Sequence, residues 1–307
     1  MNNERAQIKL LPDRRRLHMH DGPIDLIVEC FGARHEVEVA YKAAAGRFVD
    51  VLDELCLELS LLRQPARPNG PQPSGTIPRR MTAAVAPYAE RTFITPMAAV
   101  AGAVAEEMLE AMTSAAQVSK AYVNNGGDIA LYLAPGQRFI VGMVERPERA
   151  SLFGTAILPS DQPVRGIATS GWGGRSFSLG IADAVTVLGQ GAAMADAAAT
   201  VIANAVNLPK HASILRVPAR SIVPDSDLGD LLVTQSVGQL TKGEIGFALD
   251  AGMMLADSLV ADGLIHCAAL HLRGETRVIG LTREMGIVAL PKISATSKSF
   301  ANAQGAD

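Results

Sequence analysis

Hydrophobic positions switch along the chain between a period near two and a period near 3.6, which predicts strands interleaved with helices. Ile24 to Phe31 (IDLIVECF) is rich in β-formers and His35 to Ala40 (HEVEVA) alternates cleanly, with Gly32-Ala33 between them, so a hairpin is expected there. From Ala43 to Leu62, apolar residues recur at helical spacing (Phe48, Val51, Leu52, Leu55, Leu59, Leu62). Four prolines and two glycines then fall between Arg63 and Gly75, which predicts a surface loop over roughly 63–78, the stretch most disposed to disorder. Thr95-Pro96 opens a helix over Met97 to Met112, whose alanine- and glycine-rich first half allows close approach of another backbone or a ligand. Strands are predicted at Ala121 to Val123 and Ile129 to Leu133, around an Asn-Gly turn, and at Arg138 to Val144 and Ser151 to Leu158. A short strand at Val185 to Leu188 leads into a second small-residue helix, Ala192 to Val206. A helix over Lys242 to Ala261 and strands at Cys267 to Leu272 and Thr276 to Leu281 complete a body spanning 1–290. The polar tail, 291–307, is expected to fray.

Composition narrows the function classes. The chain has 307 residues, a formal charge of −3 and 4% aromatic residues, which disfavours both a phosphate-binding basic face and a stacking platform for nucleic acid. No run of about 18 apolar residues predicts a membrane span, and the polar N-terminal stretch has no signal-peptide core, so a cytoplasmic protein is expected. Cys30, Cys56 and Cys267 are scattered in apolar contexts and read as buried, reduced thiols. Among the histidines, His18 and His20 form the one closely spaced pair, in the polar N-terminal stretch.

Three clusters could carry chemistry. Asn124-Asn125-Gly126-Gly127-Asp128 reads either as a plain hairpin turn or as backbone N–H groups and amides cradling a ligand. Arg165 to Ser176 packs four glycines, three hydroxyls, two arginines and the sole tryptophan into twelve residues, which suits a phosphate or carboxylate as well as a flexible loop. Asp196 and Thr200 stand four apart on one helix face, a pairing that fits Mg²⁺ or simply a solvated face. Asp183 precedes the strand leading to that helix and could approach Asp196. No nucleophile elbow is present, which disfavours a serine hydrolase.

NNGGDI (Asn124 to Ile129), GIATSG (Gly166 to Gly171) and VTV with ADAAAT (Val185 to Val187, Ala195 to Thr200) resemble, in order, the motifs of the ApbE-like flavin-transferase family. The runs TPMAAVAGAVAE, VNNGGDIAL and GRSFSLGIADAVTVL are similar to an uncharacterised branch of that superfamily, over nearly the whole chain. The resemblance implies an α+β, tunnelling-fold-like body of antiparallel sheet packed with helices. It also implies FAD and magnesium as cofactors and transfer of FMN to an acceptor protein. Carried over by residue, Asp196 and Thr200 would hold the metal. Asn124, Gly126, Gly127, Asp128, Thr169 and Ser170 would lie at the flavin; beside these matches, Asn125 is a further candidate for cofactor binding and Asp183 and Arg175 are this chain's candidates for catalytic roles. Two departures stand out: Val100-Ala101-Gly102 replaces an Ala-Lys-Gly helix start, and only Trp172 to Ala184 fills the gap where the family has a His-Ile-Ile-Asp-Pro segment. Losing such a lysine and histidine would remove about 3–4 kcal/mol of charge stabilisation each. A non-catalytic flavin or nucleotide binder is therefore carried as an alternative, as is a small-molecule role in sulfur and homocysteine metabolism, with which that branch is associated. The small-residue helices would permit a homo-oligomer and suit an internal core equally.

Overall fold

The computed structural model describes residues 5–146, 149–280 and 288–289. In chain order the elements are β1 (Gln7–Leu10), β2 (Leu17–Asp21), β3 (Ile24–Phe31), α1 (Arg34–Phe48), α2 (Val51–Leu57), α3 (Leu59–Leu62), α4 (Thr76–Val85), α5 (Val100–Ala115), β4 (Lys120–Asn125), β5 (Asp128–Leu133), β6 (Arg138–Arg146), β7 (Arg149–Pro159), β8 (Gly166–Ser170), β9 (Ala184–Gly189), α6 (Ala192–Ala205), β10 (Ile214–Pro218), β11 (Leu232–Val237), α7 (Lys242–Ala261), β12 (Cys267–Leu272), β13 (Glu275–Ile279) and β14 (Val288–Ala289). The fold is α+β, as expected. Nine strands form one sheet in the order β1-β2-β3-β4-β5-β8-β9-β12-β13, and every described pairing is antiparallel.

The inner face of this sheet carries the main core. Met19, Leu26, Val28, Val123, Ala168, Val185 and Val187 meet α1, α5, α6 and α7 there. The outer face is partly covered by the β6–β7 hairpin, over a smaller cluster of Leu131, Leu158, Val164, Ile167, Leu188 and Cys267. That two-sided burial explains why β9 and β12 read as continuous apolar runs rather than alternating ones.

Small residues bring the two central helices into backbone contact. A Cβ at Gly102 would stand 2.3 Å from the carbonyl oxygen of Ala192, so only glycine fits where α5 crosses the start of α6. The close approach expected from the composition of α5 is thus realised. The long α7, expected over the same residues, starts with a capping box in which Thr241 and Glu244 satisfy each other's backbone N–H groups.

Several expectations are corrected. His35 to Ala40 lies inside α1 rather than in a strand: Ala40, Ala44 and Phe48 repeat every four residues and bury one helical face. The hairpin partner of β3 is β2, from the stretch read as polar, because Leu17, Met19 and Asp21 alternate inward. The helix expected from Ala43 to Leu62 is three pieces, α1 to α3. The proline-rich segment ends sooner than expected, because α4 begins at Thr76. Its backbone is held by Glu58, which accepts the N–H groups of Ser74 (2.8 Å) and Gly75 (2.7 Å). Strands β1, β10 and β11 were not anticipated, and β8 lies within the segment read as a glycine-rich loop. Cys56 is exposed, on the side of α2 opposite buried Val51 and Leu55, whereas Cys30 and Cys267 are buried. Residues 291–307, the expected tail, lie outside the described residues.

Candidate functional site

The sequence clusters meet at one end of the main sheet. The β4–β5 connection is a two-residue hairpin turn: Asn125 pairs with Asp128, and Gly126 and Gly127 take φ of +66° and +118°. This primed-type turn matches the twist of the paired strands and calls for glycine. Gly127 N–H donates to Asn124 Oδ1 at 2.8 Å, and Asn125 Nδ2 donates to the Ala101 carbonyl at 3.2 Å. The turn reading is therefore correct, and its second asparagine ties the turn to the start of α5.

Two carboxylates converge behind the turn. Asp128 Oδ1 accepts the Thr169 N–H at 3.2 Å, and Asp196 Oδ2 accepts the Gly102 N–H at 3.0 Å. Burial pushes Asp128 up to about 7. Burial also raises Asp196 well above the usual carboxylate range, and the neighbouring Asp128 charge raises it further. Each residue retains some exposed surface, but the carboxyl groups themselves are desolvated by protein. Asp196 is therefore one half of a like-charge pair and not part of a solvated face.

Arg175 reaches over the turn. Its Nη2 donates to the Pro23 carbonyl at 2.8 Å, and its Nη1 lies 3.3 Å from the point a Gly126 Cβ would occupy. Its charge acts on Asp128 in the direction that favours the carboxylate, after burial and the Thr169 hydrogen bond. Thr200, one turn beyond Asp196, is partly buried on the same helix side.

The remaining expected site residues divide. Thr169 offers the site only its backbone, because it pairs with Thr186 across β8 and β9 and their hydroxyls share a hydrogen bond of 2.9 Å. Ser170, next along β8 and paired with core-facing Val185, lies on the inner face, the face that also carries Asp128. Two others go elsewhere. The Asp183 carboxylate accepts the Trp172 indole N–H at 3.0 Å and the Arg273 backbone N–H at 2.6 Å, closing the 171–183 excursion rather than joining Asp196. Arg165 donates to the carbonyls of Ser160, Gln162 and Val164, so it anchors a loop.

Sequence reasoning missed the Gly102 N–H and the Ala101 carbonyl, because backbone groups leave no residue-type signal. It also missed Glu106, whose carboxylate accepts the Ala193 N–H at 3.0 Å and pairs with Arg80 at 3.2 Å. Burial raises its pKa. That residue caps α6 from α5, since α6 has no side-chain cap of its own.

Among the described residues, no three His, Cys, Asp or Glu side chains gather as a metal cluster. A hard cation at this site would rely on the two carboxylates together with hydroxyl, carbonyl or water oxygens, a donor set that suits Mg²⁺. It would also relieve two acids that burial and mutual repulsion hold above their ordinary range. The residues fit such an ion.

A model of the family described as AbpE bacteria matches residues 8–278. A UPF0280 protein of Methanothrix thermoacetophila is 39% identical over 113 residues, covering 37% of this chain and 46% of that protein. For a UPF0280 protein of Methanosarcina acetivorans the figures are 38% over 120 residues, 39% and 46%. For one of Methanococcoides burtonii they are 30% over 164 residues, 50% and 66%. The chain thus spans about half the length of the first two relatives and 66% of the third. None of these names states an activity.

Proposed function

The chain belongs to the family described as AbpE bacteria, and from that premise we propose that it binds FAD with Mg²⁺ at the Asp128–Asp196 end of the main sheet and acts on the pyrophosphate bond. The observation that carries this reading is the buried carboxylate pair, lying next to a glycine turn and a guanidinium. Asp196, Asp128 and Thr200 would hold the ion. When bound, Mg²⁺ would supply positive charge to the phosphate oxygens and to leaving AMP. Arg175, which reaches over the turn, would add a second positive charge, and its planar fork suits a phosphate. At Gly127 a ligand could approach the backbone without meeting a side chain, since a Cβ there would have nothing within 4 Å. Breaking the bond with FMN passing to a protein hydroxyl would make the protein a transferase; passing it to water would make it a hydrolase.

A second reading, binding without turnover, is favoured by Ala101. This residue stands where the resemblance places a lysine, and the N–H of the next residue, Gly102, is already committed to Asp196. A single set of experiments separates the readings. Mg²⁺ and FAD are titrated into the whole protein, thermal unfolding is followed, and AMP release is measured. At a hundredfold excess over its dissociation constant, FAD with Mg²⁺ should add about 2.7 kcal/mol of stability. That gain should vanish in Asp196→Asn. AMP release marks an enzyme, and its absence with binding intact marks a binder. No stabilisation by FAD, with or without Mg²⁺, would sink both readings.

A further inference from the structure

A cavity lies on the other face of the main sheet, between strands β3 and β4 and the start of β6. Its volume is about 410 Å³, within the range of small-molecule sites. Strand register sets its walls: Phe31 pairs with Lys120 and Glu29 pairs with Tyr122 across β3 and β4, while Phe139 comes from β6. The three rings meet edge to face. Phe31 and Phe139 lie 6.4 Å apart at 65°, and Tyr122 and Phe139 lie 6.1 Å apart at 80°. Only 4% of the chain is aromatic, and three of those rings line this one cavity.

The charges there are unbalanced. Glu29, the acid of the cavity, is already satisfied by Arg15 at 2.7 Å and by the Tyr122 hydroxyl, which donates at 3.2 Å. Lys120 Nζ stands 4.7 Å from the Phe31 centroid and 5.0 Å from the Phe139 centroid, and donates to the Arg138 carbonyl at 3.4 Å. Among the described residues, neither Lys120 nor Arg138 has a carboxylate partner, so two cations face the cavity with donors to spare.

We propose that this cavity is a binding site for a small aromatic anion, a flat ring bearing a carboxylate or phosphate group. The ring would pack against Phe31 and Phe139, whose positive edges and negative faces favour offset or edge contacts with another ring. The anionic group would take the open donors of Lys120 and Arg138. An amine would be repelled by the same cations, and a bare inorganic anion would leave the aromatic walls unused. The site is independent of the carboxylate pair, which lies at the sheet end on the inner, helix-covered face.

The test is calorimetric titration of the whole protein with phenyl phosphate and with benzoate, against inorganic phosphate and benzyl alcohol as the anion-only and ring-only comparators. At least one aromatic anion should bind tenfold or more tightly than both comparators, and more weakly as sodium chloride rises. Whichever aromatic anion binds tighter identifies the anionic group. Lys120→Met and Phe139→Leu should each weaken binding at least tenfold, while Asp196→Asn leaves it unchanged. If Phe139→Leu lowers the melting temperature, Arg138→Gln serves as the second arm with the same expected weakening. Equal binding of a comparator, full binding by Lys120→Met, or no binding of either aromatic anion at millimolar concentration would overturn the proposal.

Discussion

Replacing Asp196 by asparagine should stabilise the protein above neutral pH while changing it least in acid. In the fold, burial raises Asp128 from 3.8 to about 7 and raises Asp196 well above the same starting value. Unfolded, both carboxyls ionise near their ordinary values, around 4. Between these limits the native state holds protons that the unfolded state has lost, so unfolding becomes easier as pH rises. The sign is the reverse of a salt-bridged carboxylate: the stability is fully present below about pH 4 and is lost as pH climbs through the native values. For Asp128 the interval of roughly three units corresponds to on the order of 4 kcal/mol. The pair titrates as a unit, so Asp196 adds to this loss. Asparagine has the shape of protonated aspartate and keeps an oxygen to accept the Gly102 N–H, so the site should stay assembled. Urea unfolding of parent and Asp196→Asn at intervals from pH 3.5 to 8.5 is the assay. The variant should differ least from the parent near pH 3.5 and gain on it by up to about 1.4 kcal/mol per pH unit above that. Common contributions cancel in that difference, including that of partly buried Glu106. Parallel curves, or a variant less stable than the parent at pH 8.5, would refute the buried like-charge pair.

Three further outcomes follow from the packing. Gly102→Ala should destabilise by about 1–3 kcal/mol in urea unfolding, because the new Cβ would lie 2.3 Å from the Ala192 carbonyl oxygen and overpacking outweighs the gain in helix propensity. Thr241→Ala should cost about 1 kcal/mol by the same measurement, through loss of the α7 capping box. In the native protein one thiol, Cys56, should react rapidly with a disulfide reagent, and all three should react in denaturant. Burial pushes Cys30 up to about 11 and Cys267 up to about 12, leaving little thiolate at either. Rapid modification of two or three native thiols would contradict this.

Where a segment's own periodicity agreed with its packing, the elements were legible in advance. Lys242 to Ala261 and Cys267 to Leu272 appear over the residues expected, and the Asn-Gly signal located the β4–β5 turn. Reading failed where a short period-two pattern sat inside a helix. HEVEVA alternates over six residues, but what decides its state is a partner for Ala40, Ala44 and Phe48, and α5 supplies one. The reverse error hid β2, because LHMHD looks polar until Leu17, Met19 and Asp21 are seen to share one buried face.

The candidate site divides in the same way. Residue type and order alone nominated the glycine turn, Asp128, Arg175, Asp196 and Thr200, because glycine permits positive φ, and carboxylate, hydroxyl and guanidinium groups have few other uses among alanines. Which of them act together was a tertiary decision. The Gly102–Ala192 backbone contact delivers Asp196 to Gly102, 94 residues away, and to Asp128 on a strand. Strand register turned the Thr169 hydroxyl to the opposite face, and the Trp172 and Arg273 donors drew Asp183 away. Local chemistry is written one residue at a time, whereas a shared proton or a shared ion depends on distances between segments that only a packed core sets.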